Sequence, residues 1–326
     1  MIIPTVHLIG TGGTIAGKLG SSGEITPGLS VKQLLNRIPI VANHALVTAE
    51  DFLQVSSGDI GMPEMLALAH RIDAILADPG ISGTVVTHGT TTLEQTAYLL
   101  DTVLQQESPI VLTGAMRNPT LVSDDGPINL LNSMQVAACP RSRGLGVLVV
   151  MNGYIHAARD VTKSHPSDID AFQSAEFGPL GAIDEDYVFY ARRPFVRLPK
   201  VMPKAMTARV RLIPFGASKE ELLREAVIAG DLDGLVVEAT MLNPEQLDLV
   251  SAAMARGIFV VMANPFPAGR LPRGTYRRKG SETHLLDLGV AFAGTSGLKA
   301  KIKLAVTLSA GMPPEEIREA FQAEWH

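Results

Sequence analysis

The sequence predicts an α/β protein with mainly parallel sheets flanked by helices, divided into two α/β domains. Three observations carry this. Short runs rich in β-branched residues alternate with stretches whose apolar residues recur every three or four positions. That is the pattern of right-handed βαβ crossovers, which cover a parallel sheet with helices on both faces. The chain has 326 residues, a length suited to about two domains. Finally, one aperiodic, proline-rich and basic stretch interrupts the alternation before it resumes.

Taken in order, the first strand-like runs are Val6–Ile9, Thr84–Val86, Ile110–Leu112 and Val147–Val150. Between them, Pro63–Leu76 sets Met65, Leu66, Ala69, Ile72 and Leu76 on one helical face, and Leu93, Ala97, Leu100 and Leu104 repeat the pattern. From Tyr187 to about Pro214 the texture changes: RRPFVRLPKVMPKAMTARVRLIP carries four prolines and no sustained period, as an extended linker does. The division that follows is an N-terminal domain over 1–190, a linker over 191–212 and a C-terminal domain over 213–326. In the last of these, strands are expected at Leu212–Phe215, Gly234–Val237 and Phe259–Met262, and helices at Lys219–Ala229, Pro244–Arg256 and Pro314–Trp325. There is no internal repeat and no low-complexity tract.

Composition excludes several function classes. Hydrophobic residues make up 46% and charged residues 19% of the chain, enough for a large core and too apolar for disorder. A net charge of −5 argues against a nucleic-acid partner, and the densest basic cluster, Arg277, Arg278 and Lys279, reads as solvated surface. The single cysteine, Cys139, can form no internal disulfide, as suits a reducing compartment. The N-terminus lacks the basic region of a signal peptide, and no run reaches the roughly 20 apolar residues that cross a bilayer. The expectation is a cytoplasmic protein with no membrane partner. No His-Glu-x-x-His or paired Cys/His set occurs, so no metal and no cofactor are expected.

Three segments could carry chemistry. In His7–Lys18, HLIGTGGTIAGK, glycines free the backbone to turn at a strand end and bring N–H groups close to a bound group. A dinucleotide fingerprint starts correctly at Gly10 and Gly12, but its third glycine would fall at Ile15, and no acid ends a second strand about 20 residues on. In Gly83–Leu100, GTVVTHGTTTLEQTAYLL, a strand-like run passes into a helical one through four threonines. Thr91-Thr92-Leu93-Glu94 fits a capping box, with Thr91 at the N-cap and Glu94 reaching back. The C-terminal end of a strand is also where open α/β sheets bind ligands. If the two strands are neighbours, Thr14 and Thr90 share one crevice. A threonine hydroxyl attacks an acyl carbon when a neighbour takes its proton and N–H groups hold the oxyanion. In Ala157–Phe172, Arg159, Asp160, Thr162, Lys163 and His165 crowd together. A lysine in a partly dry site can act as a base; a solvated loop accounts for the same residues. No Gly-x-Ser-x-Gly elbow occurs. The Gly17–Gly28 segment, GKLGSSGEITPG, has the glycine content of a lid that closes over a ligand.

At this point the residues resemble those of the bacterial L-asparaginases, the threonine-dependent asparaginase/glutaminase amidohydrolases. TGGTIAG at Thr11–Gly17 and VVTHGTTTLEQTA at Val85–Ala97 are similar to the family's two signatures. VLTGAMRNPTLVSDDGPINLLNS at Val111–Ser133, GVLVVMNGYIHAARDVTK at Gly146–Lys163 and FAGTSG at Phe292–Gly297 extend the likeness over nearly the whole chain. The resemblance implies a larger N-terminal and a smaller C-terminal domain. It also implies a homotetramer of intimate dimers, or a homodimer, with each site between two subunits. Thr14 matches the nucleophile, and Thr90 and Lys163 match the second threonine and its lysine. Ser57 matches a serine that binds the substrate carboxylate; Gly89 and Ala115 fall among the substrate-binding positions. Glu282 matches an acid contributed across the dimer interface.

Three positions depart from the pattern. The family's second signature reads THGTDT, and Thr91 stands where that aspartate binds the substrate α-ammonium. The lid tyrosine is replaced by Ile25, and Gly58 stands where an amide side chain follows the serine. A desolvated charge pair of this kind is worth about 2–5 kcal/mol. The resemblance, with these changes, implies a threonine-nucleophile hydrolase of a small carboxylate-bearing amide, not optimised for free L-asparagine. Ordinary L-asparaginase activity and a ligand-binding homologue without turnover are the alternatives.

Overall fold

The protein is described by a computed structural model covering residues 3–20, 22–194, 200–216, 225, 227 and 229–325. The chain divides into two compact units, residues 1–197 and 198–326. In the first, β1 (Thr5–Gly12), β2 (Gly17–Leu19), β3 (Ile25–Pro27), α1 (Val31–Leu35), β4 (Leu46–Val55) and α2 (Met62–Leu76) lead into β5 (Ile81–Thr87) and α3 (Leu93–Val103). Then come β6 (Ile110–Thr113), α4 (Gly126–Ala138), β7 (Val147–Met151), β8 (Tyr154–Ala157), β9 (Thr162–Lys163), β10 (Phe172–Gln173), β11 (Gly181–Asp184) and β12 (Tyr187–Tyr190).

Eight of these strands form one sheet in the order β12-β11-β8-β7-β6-β5-β1-β4. From β4 to β7 all pairings are parallel, and β8, β11 and β12 extend the sheet antiparallel. The central strands β5, β6 and β7 are mostly β-branched and largely buried, with threonines among the buried positions of β5 and β6, as suits parallel strands beneath helices. The edge strand β4 is half exposed and carries polar residues. One of them, Glu50, takes both ends of the Arg71 guanidinium from α2, at 2.7 and 2.6 Å. Tyr187–Tyr190, expected to open an extended linker, is instead strand β12: Val188 is buried against the sheet, and alternation over four residues is too short to stand out beside the basic run that follows.

The topology locates the site. After β1 the chain crosses to β4 on one side, then returns past β1 to β5, β6 and β7 on the other. Connections therefore leave in opposite directions from β1 and β5. In such sheets the crevice at the carboxyl ends of those two strands is the topological switch point, where ligands bind.

In the second unit, β13 (Val210–Pro214), β14 (Gly234–Glu238), α5 (Pro244–Ala255), β15 (Phe259–Asn264), α6 (Glu282–Asp287), β16 (Ala291–Ser296), α7 (Gly297–Ser309) and α8 (Pro314–Gln322) follow in order. The strands form a parallel sheet in chain order, β13-β14-β15-β16. The helix expected over Lys219–Ala229 lies for the most part outside the described residues. The last helix stops at Gln322 and tightens to a 3-10 turn over Ala323–Trp325. That turn carries a buried ion pair. Lys303 Nζ donates to Glu324 Oε1 at 2.7 Å and to the Ala320 carbonyl at 2.6 Å, over the Phe321 ring. Glu324 Oε2 accepts the Gly294 N–H at 2.6 Å. Removing one partner strands the other charge in the core. Glu324→Ala is therefore expected to cost the C-terminal unit about 3–5 kcal/mol, read as a lower urea midpoint; an unchanged midpoint would show that the pair contributes nothing.

Candidate active site

Two glycine-flanked loops meet at the switch point. β1 ends at Gly12, which with the following Gly13 stands at positive φ, 102° and 77°. A Cβ on Gly13 would lie 2.3 Å from Gly89 Cα and 2.4 Å from Gly89 N. No side chain fits there: the loops after β1 and β5 touch backbone to backbone, and Gly13 donates its N–H to the Val55 carbonyl of β4 at 3.0 Å. Each of these contact glycines precedes a site threonine, Thr14 and Thr90. The near-neighbour condition set by the sequence is met, since β1 pairs with β5 from Thr5 to Gly10.

His88 stiffens the second loop from inside. It is fully buried; its Nδ1 donates to the Gly89 carbonyl at 2.8 Å, and the Thr96 hydroxyl donates to Nε2 at 3.0 Å. Burial pushes its pKa down to about 4, so the ring stays neutral. It is a satisfied structural histidine.

The loop after β4 joins as a third wall. Ser57 is buried, and its hydroxyl accepts the Thr91 N–H at 3.2 Å. In return the Thr92 hydroxyl donates to the Ser57 carbonyl at 2.6 Å. The capping box expected at Thr91–Glu94 is absent. The helix begins at Leu93 with Thr92 at its N-cap, and no side chain caps it. The reason is competition: the Thr92 hydroxyl bonds Ser57, and the Glu94 carboxylate accepts the backbone N–H of Lys163 at 2.5 Å. Local spacing signals a cap; the neighbouring loops offer these side chains better partners.

Lys163 arrives on β9, which with β10 forms a short antiparallel ribbon where a solvated loop was the competing reading. Its Nζ donates to Thr90 Oγ1 at 2.8 Å. Thr90 is buried and Lys163 partly so. Desolvation lowers the lysine pKa, while the nearby Glu94 carboxylate raises it in part. A lysine so placed exchanges a proton with a hydroxyl more readily than one in water does.

The comparisons with known proteins identify the family. The model described as "Asparaginase, N-terminal" matches residues 5–196, and the "Glutaminase/Asparaginase C-terminal domain" matches 209–321. The chain belongs to the bacterial L-asparaginase family. It is 32% identical to L-asparaginase 2 of Escherichia coli strain K12, over 98% of this chain and 93% of that protein. It is 37% identical to a probable L-asparaginase of Deinococcus radiodurans, over 98% and 97% of the two chains. Among solved structures, the probable cytoplasmic L-asparaginase from Campylobacter jejuni superposes with a TM-score of 0.85 at 28% identity, covering 98% of this chain and 99% of that one. The enzyme is thus an asparaginase-family amidohydrolase, acting on amides, with the family's two-domain α/β fold.

The other expected positions fall as follows. Ala115 is fully buried beyond the end of β6, and a Cβ on its neighbour Gly114 would meet the His88 carbonyl at 2.6 Å and Thr90 Cγ2 at 3.3 Å. This loop is held by Asp125, whose carboxylate accepts the N–H groups of Met116 and Arg117 at 3.1 and 2.8 Å. Ile25 is 38% exposed on β3 of the β2–β3 hairpin, and its Cγ2 would lie 2.9 Å from a Cβ on Gly17. Gly58 opens onto space: the nearest atom to a Cβ there is Ser56 Oγ at 3.9 Å. Thr91 is exposed. Glu282 lies in the second unit, in the first turn of α6. Its Oε1 accepts the Tyr276 N–H at 2.5 Å, and its buried Oε2 has no hydrogen-bond partner among the described residues. Among those residues no His/Cys/Asp/Glu group could hold a metal, and no helix is long and apolar enough to cross a membrane.

Sequence reasoning missed Glu94 and Thr92 as site builders, since both were absorbed into a cap. No local signal separates Glu94 from an ordinary first-turn acid, since Gln95 and Asp101 are also polar on the same helix.

Proposed function

We propose that the enzyme is a threonine-nucleophile amidohydrolase whose preferred substrate is a small carboxylate-bearing amide without a free α-ammonium. The observation that carries the catalytic part is the 2.8 Å hydrogen bond from Lys163 Nζ to Thr90 Oγ1, in a site beside the switch point. Thr14 Oγ1 attacks the amide carbon, and its proton passes to neutral Lys163 through Thr90 or a water. Gly13 and Thr91 already donate their N–H groups, to Val55 and Ser57. The oxyanion is held by other N–H groups of the two glycine-flanked loops, those of Thr14 and Thr90 among them. Lys163 returns the proton to the leaving nitrogen, and the C–N bond breaks. Water then hydrolyses the Thr14 ester, releasing the acid and restoring the hydroxyl.

The substrate part rests on Thr91, Gly58 and Ile25. No carboxylate stands at 91 to pair with an ammonium, and the space beside Gly58 suits a larger or neutral substituent. The reading takes the β2–β3 hairpin as a lid. It takes the enzyme as a cytoplasmic homodimer or homotetramer in which Glu282 completes a neighbour's site. The names of the relatives favour a second reading, free L-asparagine as the substrate.

Thr90→Val and Lys163→Met test the mechanism. Each is expected to lower kcat by about 100-fold, the lower range for a lost acid–base group, with ammonia release as the assay. Undiminished release in both variants would remove the pair from the mechanism. No release by wild type from L-asparagine, succinamate or N-substituted asparagines would favour a binding protein instead.

A further inference from the structure

Glu94 has no place in the steps above, yet it touches the lysine on which they depend. It is 7% exposed, sits in the first turn of α3, and does not cap its own helix. Its Oε2 accepts the backbone N–H of Lys163 at 2.5 Å. The same helix follows directly from the loop that carries Thr90. One short bond therefore ties the backbone of the base to the rigid element that presents its hydroxyl partner.

From this geometry we infer that Glu94 is the positioning residue of Lys163, holding its backbone so that the Nζ meets Thr90 Oγ1. The inference rests on the Thr90–Lys163 reading of the site. β9 is only two residues long and pairs with β10 alone, at Lys163–Phe172 and Thr162–Gln173. Such a ribbon fixes a backbone poorly by itself. Ser164 N–H and hydroxyl bond the Ala171 carbonyl within the same segment, and the contact of β9 with Thr90 is made by the flexible end of the Lys163 side chain. Glu94 ties the backbone of β9 to the helix that follows Thr90.

The carboxylate also sets the charge balance. The other charged groups of this region are Arg159 and Asp160, which lie 4.0 Å apart, with His165 and Asp168 beyond Lys163 and Asp170 ahead of β10. Glu94 is the charged neighbour that raises the Lys163 pKa against the lowering by burial. A glutamine at this position keeps an oxygen acceptor for the N–H and removes the charge. An alanine removes both. The two variants therefore separate placement from electrostatics.

The experiment compares Glu94→Gln and Glu94→Ala with wild type, in kcat and KM over pH, on L-asparagine and succinamate. The titration of Lys163 is followed in parallel by NMR of ε-13C-lysine-labelled enzyme, assigned with Lys163→Met. Glu94→Ala is expected to lose about 100-fold in kcat, as a misplaced catalytic group does, with KM changed less than about threefold. Glu94→Gln is expected to keep kcat within about tenfold. Because the charge that raises the Lys163 pKa is gone, its ascending pH limb and its NMR titration move to lower pH. The inference is overturned if Glu94→Ala keeps wild-type kcat, or if both variants lose activity alike with the titration of Lys163 unmoved. Should Glu94→Ala not fold, Glu94→Met, which keeps the bulk and removes the acceptor, takes its place with the same expected loss in kcat. Failure of the catalytic reading would look different: Lys163→Met would itself keep full turnover, while the NMR titration still reported whether Glu94 acts on the lysine.

Discussion

Thr14→Ala is expected to reduce turnover by roughly four orders of magnitude or more, the scale of losing a covalent nucleophile, and to leave the fold unchanged. The structure says why the two effects separate. Thr14 opens the 3-10 turn Thr14–Ala16 and is only partly buried. What anchors that turn is not Thr14 but its neighbours. Gly13 packs against Gly89 and donates to Val55; Ile15 is 1% exposed in the core; the Ala16 carbonyl accepts the N–H groups of Gly28 and Leu29 at 2.8 and 3.0 Å. The substitution removes a hydroxyl and a methyl and touches none of these. The thermal midpoint should therefore match wild type, and a substrate analogue should still bind. The measurements are single-turnover ammonia release and calorimetric titration of the analogue. Residual activity within tenfold of wild type would take Thr14 out of the mechanism and leave its hydroxyl without a role.

Much of this arrangement was legible in the sequence, and the limits of that reading have physical causes. The buried strands β5, β6 and β7 announce themselves as runs rich in β-branched residues without charges, because a strand covered on both faces has no solvated positions. The glycine at 13 is readable as a close approach, though not the identity of what approaches, since Gly89 lies 76 residues away. The edge strand β4 escapes notice because it is half exposed and mixed in composition. Helix α7 is missed for another reason: its Lys299 and Lys303 look like surface residues in sequence but are both 2% exposed. The site follows the same rule. Thr14, Thr90 and Lys163 stand in segments whose texture marks them, whereas Glu94 acts on a backbone N–H 69 residues away, and a backbone N–H has no sequence signature. The capping box fails because local spacing predicts local partners, and tertiary partners won.

The triple variant Thr91→Asp, Gly58→Gln, Ile25→Tyr is expected to turn over free L-asparagine roughly 100-fold better than wild type, from the ~2–5 kcal/mol of a desolvated charge pair at about 1.4 kcal/mol per decade. Position 91 can take the change. Thr91 is exposed and uses only its backbone N–H, toward Ser57, which aspartate retains. A carboxylate there also sits just ahead of the uncapped N-terminus of α3, where the helix dipole favours negative charge. Gly58 can take a side chain, since the nearest atom to a Cβ is 3.9 Å away. Ile25 is the harder site: its Cγ2 already lies over Gly17, so a tyrosine must swing toward the exposed face of the hairpin. The single Thr91→Asp variant controls for any disturbance this causes. Gains on L-asparagine should come with losses on an amide that has no ammonium, because the new carboxylate then faces the bound substrate without a partner. The measurement is kcat/KM for L-asparagine and for its deaminated analogue, succinamate, in wild type, Thr91→Asp and the triple variant. On this reading wild type prefers succinamate, and the ratio inverts in the triple variant. If wild type already handles L-asparagine as well as the triple variant does, position 91 does not decide the substrate. The family's ordinary reaction is then this enzyme's own, and its ammonium-binding group must be sought on another element.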